Sequence, residues 1–382
     1  MTSMMPPTID LGAEADRARC GALKDFWYVA CLSRELTARA PLGRTILGTP
    51  IALFRDERGR PAALFDRCLH RNARLSCGAS FAGRIGCPYH GWTYDATGAC
   101  VAIPSLGPAQ RCEIRVAGAP PGLASAPSGV GRLESFATLE QDGLVYVYLG
   151  GDPARARRPA FALPHGGEAG WTSYMMVTRF ANGVTNLVEN FMDVPHTAFV
   201  HRGWFRRTAG RQVGARVERR EGAVLVTYDS NDSLSGLGRL FNPRGLPMFH
   251  TDKFYPPNVT RVDYGWGEAG FVITSQCTPV GPTDTWVFTA ISYRLPRDLP
   301  GALVGRALRP LVRRYTQQVI RQDVEIMTVQ RDGLSSAPDG GHFRSTLADL
   351  LHADIEASRG WLRGGGKAAP PSDEDRAISF WI

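Results

Sequence analysis

Four residues within one short stretch constrain this chain more than any other feature. Cys68 and His70 form one pair, and Cys87 and His90 form a second, in the run from Asp66 to Trp92. Each pair lies between short apolar stretches that read as strands, so two loops can aim their side chains at one metal centre. Two thiolates and two imidazoles suit two different centres. A structural zinc ion accepts such a set in a tetrahedron. A two-iron, two-sulfur cluster accepts it asymmetrically, thiolates on one iron and imidazoles on the other, and the neutral imidazoles raise its reduction potential. The spacing favours the cluster. Zinc sites usually pair Cys with Cys and His with His, whereas each arm here mixes the two.

The chain around this stretch reads as all-β. Ile51–Phe54 and Ala62–Phe65 flank the turn Asp56–Gly59, and Trp92–Tyr94 and Val101–Ile103 flank Asp95–Gly98, giving two hairpins. Gly143–Leu149 is a third apolar strand, and Ala117–Gly131 is a Pro/Gly-rich loop. With 382 residues the chain has room for about two domains. Residues 1–24 read as a mobile tail, 25–150 as a small β-domain and 151–382 as a second domain, with Gly150–Gly170 as connector. The second domain mixes helix and antiparallel strand, so the fold class is α+β. Strands are expected at Trp171–Phe180, Ala223–Tyr228, Val259–Tyr264, Gly270–Gln276 and Thr285–Tyr293. A helix is expected over Gly183–Val200, disturbed by Pro195, and a second over Leu303–Gln330, broken near Pro310. Gly364–Asp375 reads as a loose tail.

Composition removes several function classes. No run of about 18 apolar residues appears, so no membrane span is expected. The first residues lack the apolar core of a secretory signal, which points to the cytoplasm. The eight cysteines of so long a chain then read as metal ligands or free thiols, with Cys77 and Cys100 as packed small side chains. The net charge of +8 fits an acidic electron-donor protein as partner, but no basic run interleaved with aromatics marks a nucleic-acid surface. Neither a phosphate loop nor a nicotinamide or flavin fingerprint is present; Gly364–Lys367 lacks the required spacing. Reducing equivalents must come from a separate protein.

A second set of metal-binding side chains lies in the second domain. Asp193 and His196 are three residues apart on one helical face, and His201 follows where that helix ends. Two histidines and one carboxylate hold iron(II) with positions left open for dioxygen. In the C-terminal helix Asp323 shares an apolar stripe with Tyr315, Val319 and Ile326, where a bound cation would offset the cost of burying it. Asp323 could instead sit at the rim as a solvated charge, and Glu325 is the competing carboxylate, pointing off that stripe.

The motifs Cys68–Leu69–His70–Arg71 and Cys87–Pro88–Tyr89–His90–Gly91–Trp92 resemble the cluster-binding boxes of the Rieske non-haem iron oxygenases. Asn190, Asp193, His196, His201 and the later Asp323 resemble that family's iron motif. Trp27–Ala30 and Pro41–Arg44 are similar to the monooxygenases and O-demethylases of the dicamba and vanillate type. The likeness runs from Asp25 to Gln330. It implies a [2Fe-2S] cluster on Cys68, His70, Cys87 and His90, and a mononuclear Fe(II) on His196, His201 and Asp323. It implies that Asp193 is no ligand but bridges to His90 of the partner subunit, in a homotrimer. Respiratory Rieske proteins join their two loops by a disulfide; here Tyr89 stands where the second cysteine would be, which leaves Cys77 without that partner. The implied architecture is an all-β Rieske domain followed by a helix-covered antiparallel-sheet catalytic domain. The implied activity is O2-dependent hydroxylation or oxidative demethylation of a small aromatic or cyclic molecule, with electrons from a ferredoxin or flavin reductase. Alternatives are the large subunit of a ring-dihydroxylating dioxygenase and a plain electron carrier. Asn186, Leu187, Asn190, His250 and Trp266 are expected as substrate contacts, because polar and aromatic groups commonly anchor small ligands.

Overall fold

The computed structural model describes residues 21–106, 131–202, 210, 212–229, 238–296, 301–337, 343–346, 348–349, 351–367 and 369–381. Residues 1–20 of the expected tail, and most of the loop 117–131, lie outside them. The last residues assigned to the tail do not match that expectation: Gly21–Asp25 form a 3-10 turn with Ala22 and Leu23 buried.

Contacts divide the chain into two units, Lys24–Phe161 and Gly21–Leu23 with Ala162–Ile382. The break falls beyond residue 150 because the connector folds back on the first unit. Tyr146 OH donates to Phe161 O at 3.0 Å, and Arg157 N donates to Asp25 O at 2.9 Å.

Among its described residues the first unit contains strands and 3-10 turns. The strands are β1 (Trp27–Leu32), β2 (Leu42–Ile46), β3 (Thr49–Arg55), β4 (Pro61–Phe65), β5 (Ala79–Phe81), β6 (Arg84–Gly86), β7 (Thr93–Tyr94), β8 (Cys100–Ala102), β9 (Ser135–Gln141) and β10 (Leu144–Tyr148). They form a six-stranded sheet, β1-β10-β9-β4-β3-β2, and a four-stranded one, β5-β6-β7-β8. Both expected hairpins are set by an aspartate. Asp56 Oδ1 accepts the N–H groups of Arg58 and Arg60, and Asp95 Oδ1 accepts those of Thr97 and Ala99. These are the side-chain-to-backbone bonds that make Asp a turn residue.

The second unit is built on one antiparallel sheet. Its elements are β11 (Thr172–Phe180), α1 (Val184–Met192), α2 (His196–Phe199), β12 (Gln212–Arg220), β13 (Ala223–Tyr228), α3 (Gly238–Phe241), β14 (Phe249–Tyr255), β15 (Val259–Trp266), β16 (Ala269–Gly281), β17 (Asp284–Arg294), α4 (Gly301–Ser336), α5 (His352–Arg363) and β18 (Glu374–Trp381). Strands β12 to β17 pair with their neighbours in sequence, and β18 and β11 close the two edges. Two apolar cores pack α1, α4 and α5 against the sheet, one around Leu187, Val226 and Phe254 and one around Tyr264, Ile291 and Val312.

Three local expectations need correction. The helix α4 is continuous through Pro310. Val304, Leu308 and Val312 pack into one core on both sides of the proline, which itself faces solvent, so packing overrides the lost backbone bond. The helix of 183–200 is two helices, because Pro195 cannot donate to the carbonyl of Phe191 and its ring clashes there. The loose tail is anchored: Arg219 Nε donates to Ser372 O at 2.6 Å, and β18 pairs with β12 from Glu374 onward. Asp354, fully buried, accepts from both Arg219 and Arg376 and ties α5 to the same two strands.

Candidate metal centres

The two loops of the first unit repeat one backbone turn. Asn72 N donates to Cys68 O and Cys68 N to Ala73 O; Gly91 N donates to Cys87 O and Cys87 N to Trp92 O. Asn72 and Gly91, four residues after their cysteines, both take positive φ, of 61° and 71°. Glycine reaches that region freely, and asparagine is among the side chains that tolerate it. The repeat brings like to like. Cys68 and Cys87 are buried, while His90 is exposed and His70 half-buried, with the imidazole centroids 4.6 Å apart.

The electrostatics fit metal ligation. Partial burial, then the like charges of His90 and Arg71, hold the His70 imidazole below its usual range, which favours its neutral, metal-ligating form. Burial pushes the Cys87 thiol up, with the neighbouring Cys68 adding to the shift. Two thiols therefore lie side by side in an apolar pocket, where a metal would take them as thiolates. His70 Nδ1 is buried with no partner among the described residues, the mark of a donor atom built for something other than protein. Thiols within, imidazoles at the surface and an orphaned ring nitrogen fit an asymmetric two-iron cluster. Inspection of the sequence missed Tyr94, whose hydroxyl lies 3.2 Å from Cys68 Sγ and accepts Leu69 N–H at 3.1 Å. Cys77 is exposed rather than packed, because the 3-10 turn Leu75–Cys77 buries Leu75 instead.

In the second unit the break before Pro195 shapes the other centre. Asp193 caps α1 in extended conformation, and α2 starts afresh at His196. The two residues are thus not on one continuous helical face. The break instead frees the Asp193 carbonyl to accept the His196 Nδ1–H, while the Asp193 carboxylate lies 3.6 Å from that nitrogen. His201 Nδ1–H is held by Gln322 Oε1 at 3.0 Å. Both imidazoles therefore present Nε2 to a common point. His201 Nε2 lies 3.1 Å and His196 Nε2 3.6 Å from Asp323 Oδ1, and ligand atoms of all three lie within 4.8 Å of one another. Asn190 Nδ2 donates to Asp323 Oδ1 at 3.2 Å. His201 and Asp323 are buried, and Glu325 is exposed.

Burial alone would lower the His196 pKa, but hydrogen bonds to Asp193 and Asp323 and their charges outweigh it and raise it to about 9. Burial would raise that of Asp323, but the two histidines lower it to about 2. Both shifts show that the centre favours a positive charge among these three side chains, which a bound metal ion would supply. Two imidazoles and a carboxylate on one side, with the opposite side open to a cavity, are the donor set of a facial triad.

That cavity, of about 100 Å³, lies between α1, α4 and strands β15–β17, and Tyr315, Val319 and Asp323 line it from one face of α4. Of the expected substrate contacts only Asn190 lines it. Leu187 faces the apolar core beneath α1, and Trp266 is buried in the second core. His250 lies behind the wall, stacked between Tyr228 and Tyr264 and bonded to Asp252 at 2.9 Å. Asn186 bonds Asn182 and borders a different cavity, on the Asp193 side. Asn186 and Leu187 point off the site face of α1, whereas His250, the register partner of Tyr264, and Trp266, two residues beyond Tyr264, share its face of the sheet but are taken up by packing against neighbouring rings.

Residues 26–121 match the Rieske [2Fe-2S] domain family, and residues 183–352 match the vanillate O-demethylase oxygenase C-terminal domain. A putative toluene-4-sulfonate monooxygenase system iron-sulfur subunit of Comamonas testosteroni is 31% identical over 65% of this chain and 68% of its own. The chain belongs to the Rieske non-haem iron oxygenases.

This chain spans less than two thirds of two further relatives. The dicamba O-demethylase oxygenase component of Stenotrophomonas maltophilia is 34% identical over 64% of this chain, which spans 63% of that protein. Chlorophyllide a oxygenase of Chlamydomonas reinhardtii is 29% identical over 81% of this chain, which spans 44% of that protein. The crystal structure of dicamba monooxygenase bound to dicamba has the same fold, with a TM-score of 0.70 at 23% identity, covering 90% of this chain and 98% of the other. A Rieske oxygenase of this kind carries a [2Fe-2S] cluster and a mononuclear iron, and the two donor sets described above have the chemistry for each. No helix of the described residues is long and apolar enough to cross a membrane.

Proposed function

We propose that this chain is the terminal oxygenase of a multi-component system, using dioxygen and electrons from a separate ferredoxin or flavin reductase to hydroxylate or oxidatively demethylate a small aromatic or cyclic molecule. The observation that carries this reading is the convergence of His196, His201 and Asp323 on the wall of an apolar cavity. In this reading those three residues hold the mononuclear iron, and Cys68, His70, Cys87 and His90 hold the cluster. The relatives named as oxygenase components and as subunits of monooxygenase systems support a division of labour with a reductase. No disulfide joins the described cysteines, which suits a reducing cytoplasm.

When bound, the metals supply electron transfer and the reductive activation of dioxygen. The chain supplies position. The Asp193 carbonyl and Gln322 fix the tautomers of His196 and His201, so that both Nε2 lone pairs face the centre. Asn190 holds one oxygen of Asp323. The apolar lining of the cavity keeps water from the reacting atoms. Asp193, with its carboxylate about one-third exposed, is free on one side to accept the outer N–H of His90 of the partner subunit in a homotrimer. That carboxylate would then join a cluster ligand to an iron ligand by hydrogen bonds.

The test is metal content and spectrum. The purified protein should be brown, hold about three irons and two sulfides per chain, and give the electron paramagnetic resonance signal of a reduced Rieske cluster. Oxygen uptake should then depend on an added reductase. A colourless protein with one zinc per chain would overturn the reading.

A further inference from the structure

The cavity beside the His/Asp centre has a patterned floor. In adjacent antiparallel strands Thr260 pairs with Ser275 and Ser275 with Thr289. Two residues further along, Val262 pairs with Ile273 and Ile273 with Ile291; two further again, Tyr264 pairs with Phe271. Side chains alternate between the faces of a sheet, so these rows share one face, and all of these residues line the cavity. The floor is therefore a hydroxyl row, then a branched aliphatic row, then an aromatic row, each step about 6.7 Å along the strands.

The hydroxyl row is buried yet weakly engaged. Thr260, Ser275 and Thr289 are 2%, 5% and 4% exposed. Among the described residues their only mutual side-chain hydrogen bond is a long one, 3.4 Å between Ser275 and Thr289, and Thr260 Oγ1 makes none. The other threonine hydroxyls of the cavity are committed: Thr197 donates to Val194 O at 2.6 Å and Thr316 to Val312 O at 3.0 Å. No lysine or arginine stands among the described lining residues. A carboxylate or sulfonate placed on the hydroxyl row would be buried without a lysine or arginine to meet it, at a cost of several kcal/mol. A hydroxyl can donate or accept, so the row can serve a phenol, an ether or a carbonyl.

We propose that the substrate is a neutral, single-ring molecule bearing one oxygen function, with that oxygen seated on the Thr260–Ser275–Thr289 row and the ring on the aliphatic and aromatic rows. The proposal rests on the oxygenase reading of the same site. The volume of about 100 Å³ is below that of the apolar cavity of about 150 Å³ that accepts benzene, so the substrate is limited to one ring, part of which extends through the cavity's open side.

Calorimetry on the resting holoenzyme, without turnover, tests it with three ligands of one skeleton: 4-methylphenol, toluene and 4-methylbenzoate at pH 7. The phenol should bind about three- to tenfold more tightly than toluene, the worth of one hydrogen bond, and the benzoate more weakly than either. Thr260→Val and Thr289→Val should bring the phenol toward the affinity of toluene and leave toluene unchanged, while Thr260→Ser keeps the preference. Retained toluene binding shows that the valine variants are folded. Benzoate binding as tightly as the phenol, an unchanged phenol-to-toluene ratio in both valine variants, or no binding of any of the three would overturn the proposal. Failure of the oxygenase reading would appear instead as missing iron and sulfide, which the calorimetric ratios do not measure.

Discussion

His201 Nδ1 lies 3.0 Å from Gln322 Oε1, and Gln322 is the chain neighbour of Asp323. One turn of α4 thus supplies both a candidate ligand and the group that orients another. Gln322→Leu should weaken Co(II) binding at the mononuclear site by about 10- to 100-fold, the usual effect of losing such a partner, while the visible spectrum of the cluster stays unchanged. Gln322→Glu keeps an acceptor and should retain the affinity. Equal Co(II) affinity in the leucine variant and the parent would show that packing alone orients His201.

The metal-free centre should respond to pH in a defined direction. A metal must displace the proton that His196 carries below about 9. Apparent Co(II) affinity should therefore rise about tenfold per pH unit toward that value and then level off. The stability of the metal-free protein follows from the same groups. The raised pKa of His196 contributes stability present at and below its unfolded value and lost as pH rises through about 9. The lowered pKa of Asp323 contributes stability present above its unfolded value and lost as pH falls toward about 2. A pH-independent Co(II) affinity between pH 6 and 9 would contradict this account.

Tyr94 should tune the cluster. Because its oxygen accepts from Leu69 N–H, its own proton is available to Cys68 Sγ. Hydrogen bonds to ligand sulfurs stabilise the reduced cluster. Tyr94→Phe should lower the midpoint potential by about 20–60 mV, one hydrogen bond at 59 mV per tenfold. A redox titration followed by electron paramagnetic resonance reads this directly, and an unshifted midpoint would remove Tyr94 from that role.

Asp193→Asn separates binding from electron transfer. The backbone carbonyl that holds His196 Nδ1 survives the substitution, so both metals should remain. Turnover should fall by about a hundredfold or more if the carboxylate bridges to His90 of the partner subunit. Iron content and oxygen uptake coupled to product decide it; normal coupled turnover would dispose of the bridge.

What the sequence determined alone was local. Cys68 with His70, Cys87 with His90, and His196 with His201 lie two to five residues apart, and turns that short leave few ways to place them. The two aspartate-set hairpins are legible for the same reason. Asp323 could be singled out over Glu325 because helical periodicity puts it on the apolar stripe with Tyr315 and Val319. What only the tertiary structure decided depended on contacts between distant segments. The pairing of β18 with β12 joins residues more than 150 apart, and the charged start of β18 and the Gly/Pro-rich run before it hide it in the sequence. Leu187, His250 and Trp266 looked like substrate contacts by residue type and proximity, yet core packing takes them up away from the cavity. The row Thr260–Ser275–Thr289 is scattered in the chain and becomes a surface only through strand register, because register, not composition, decides which side chains face one another across a sheet.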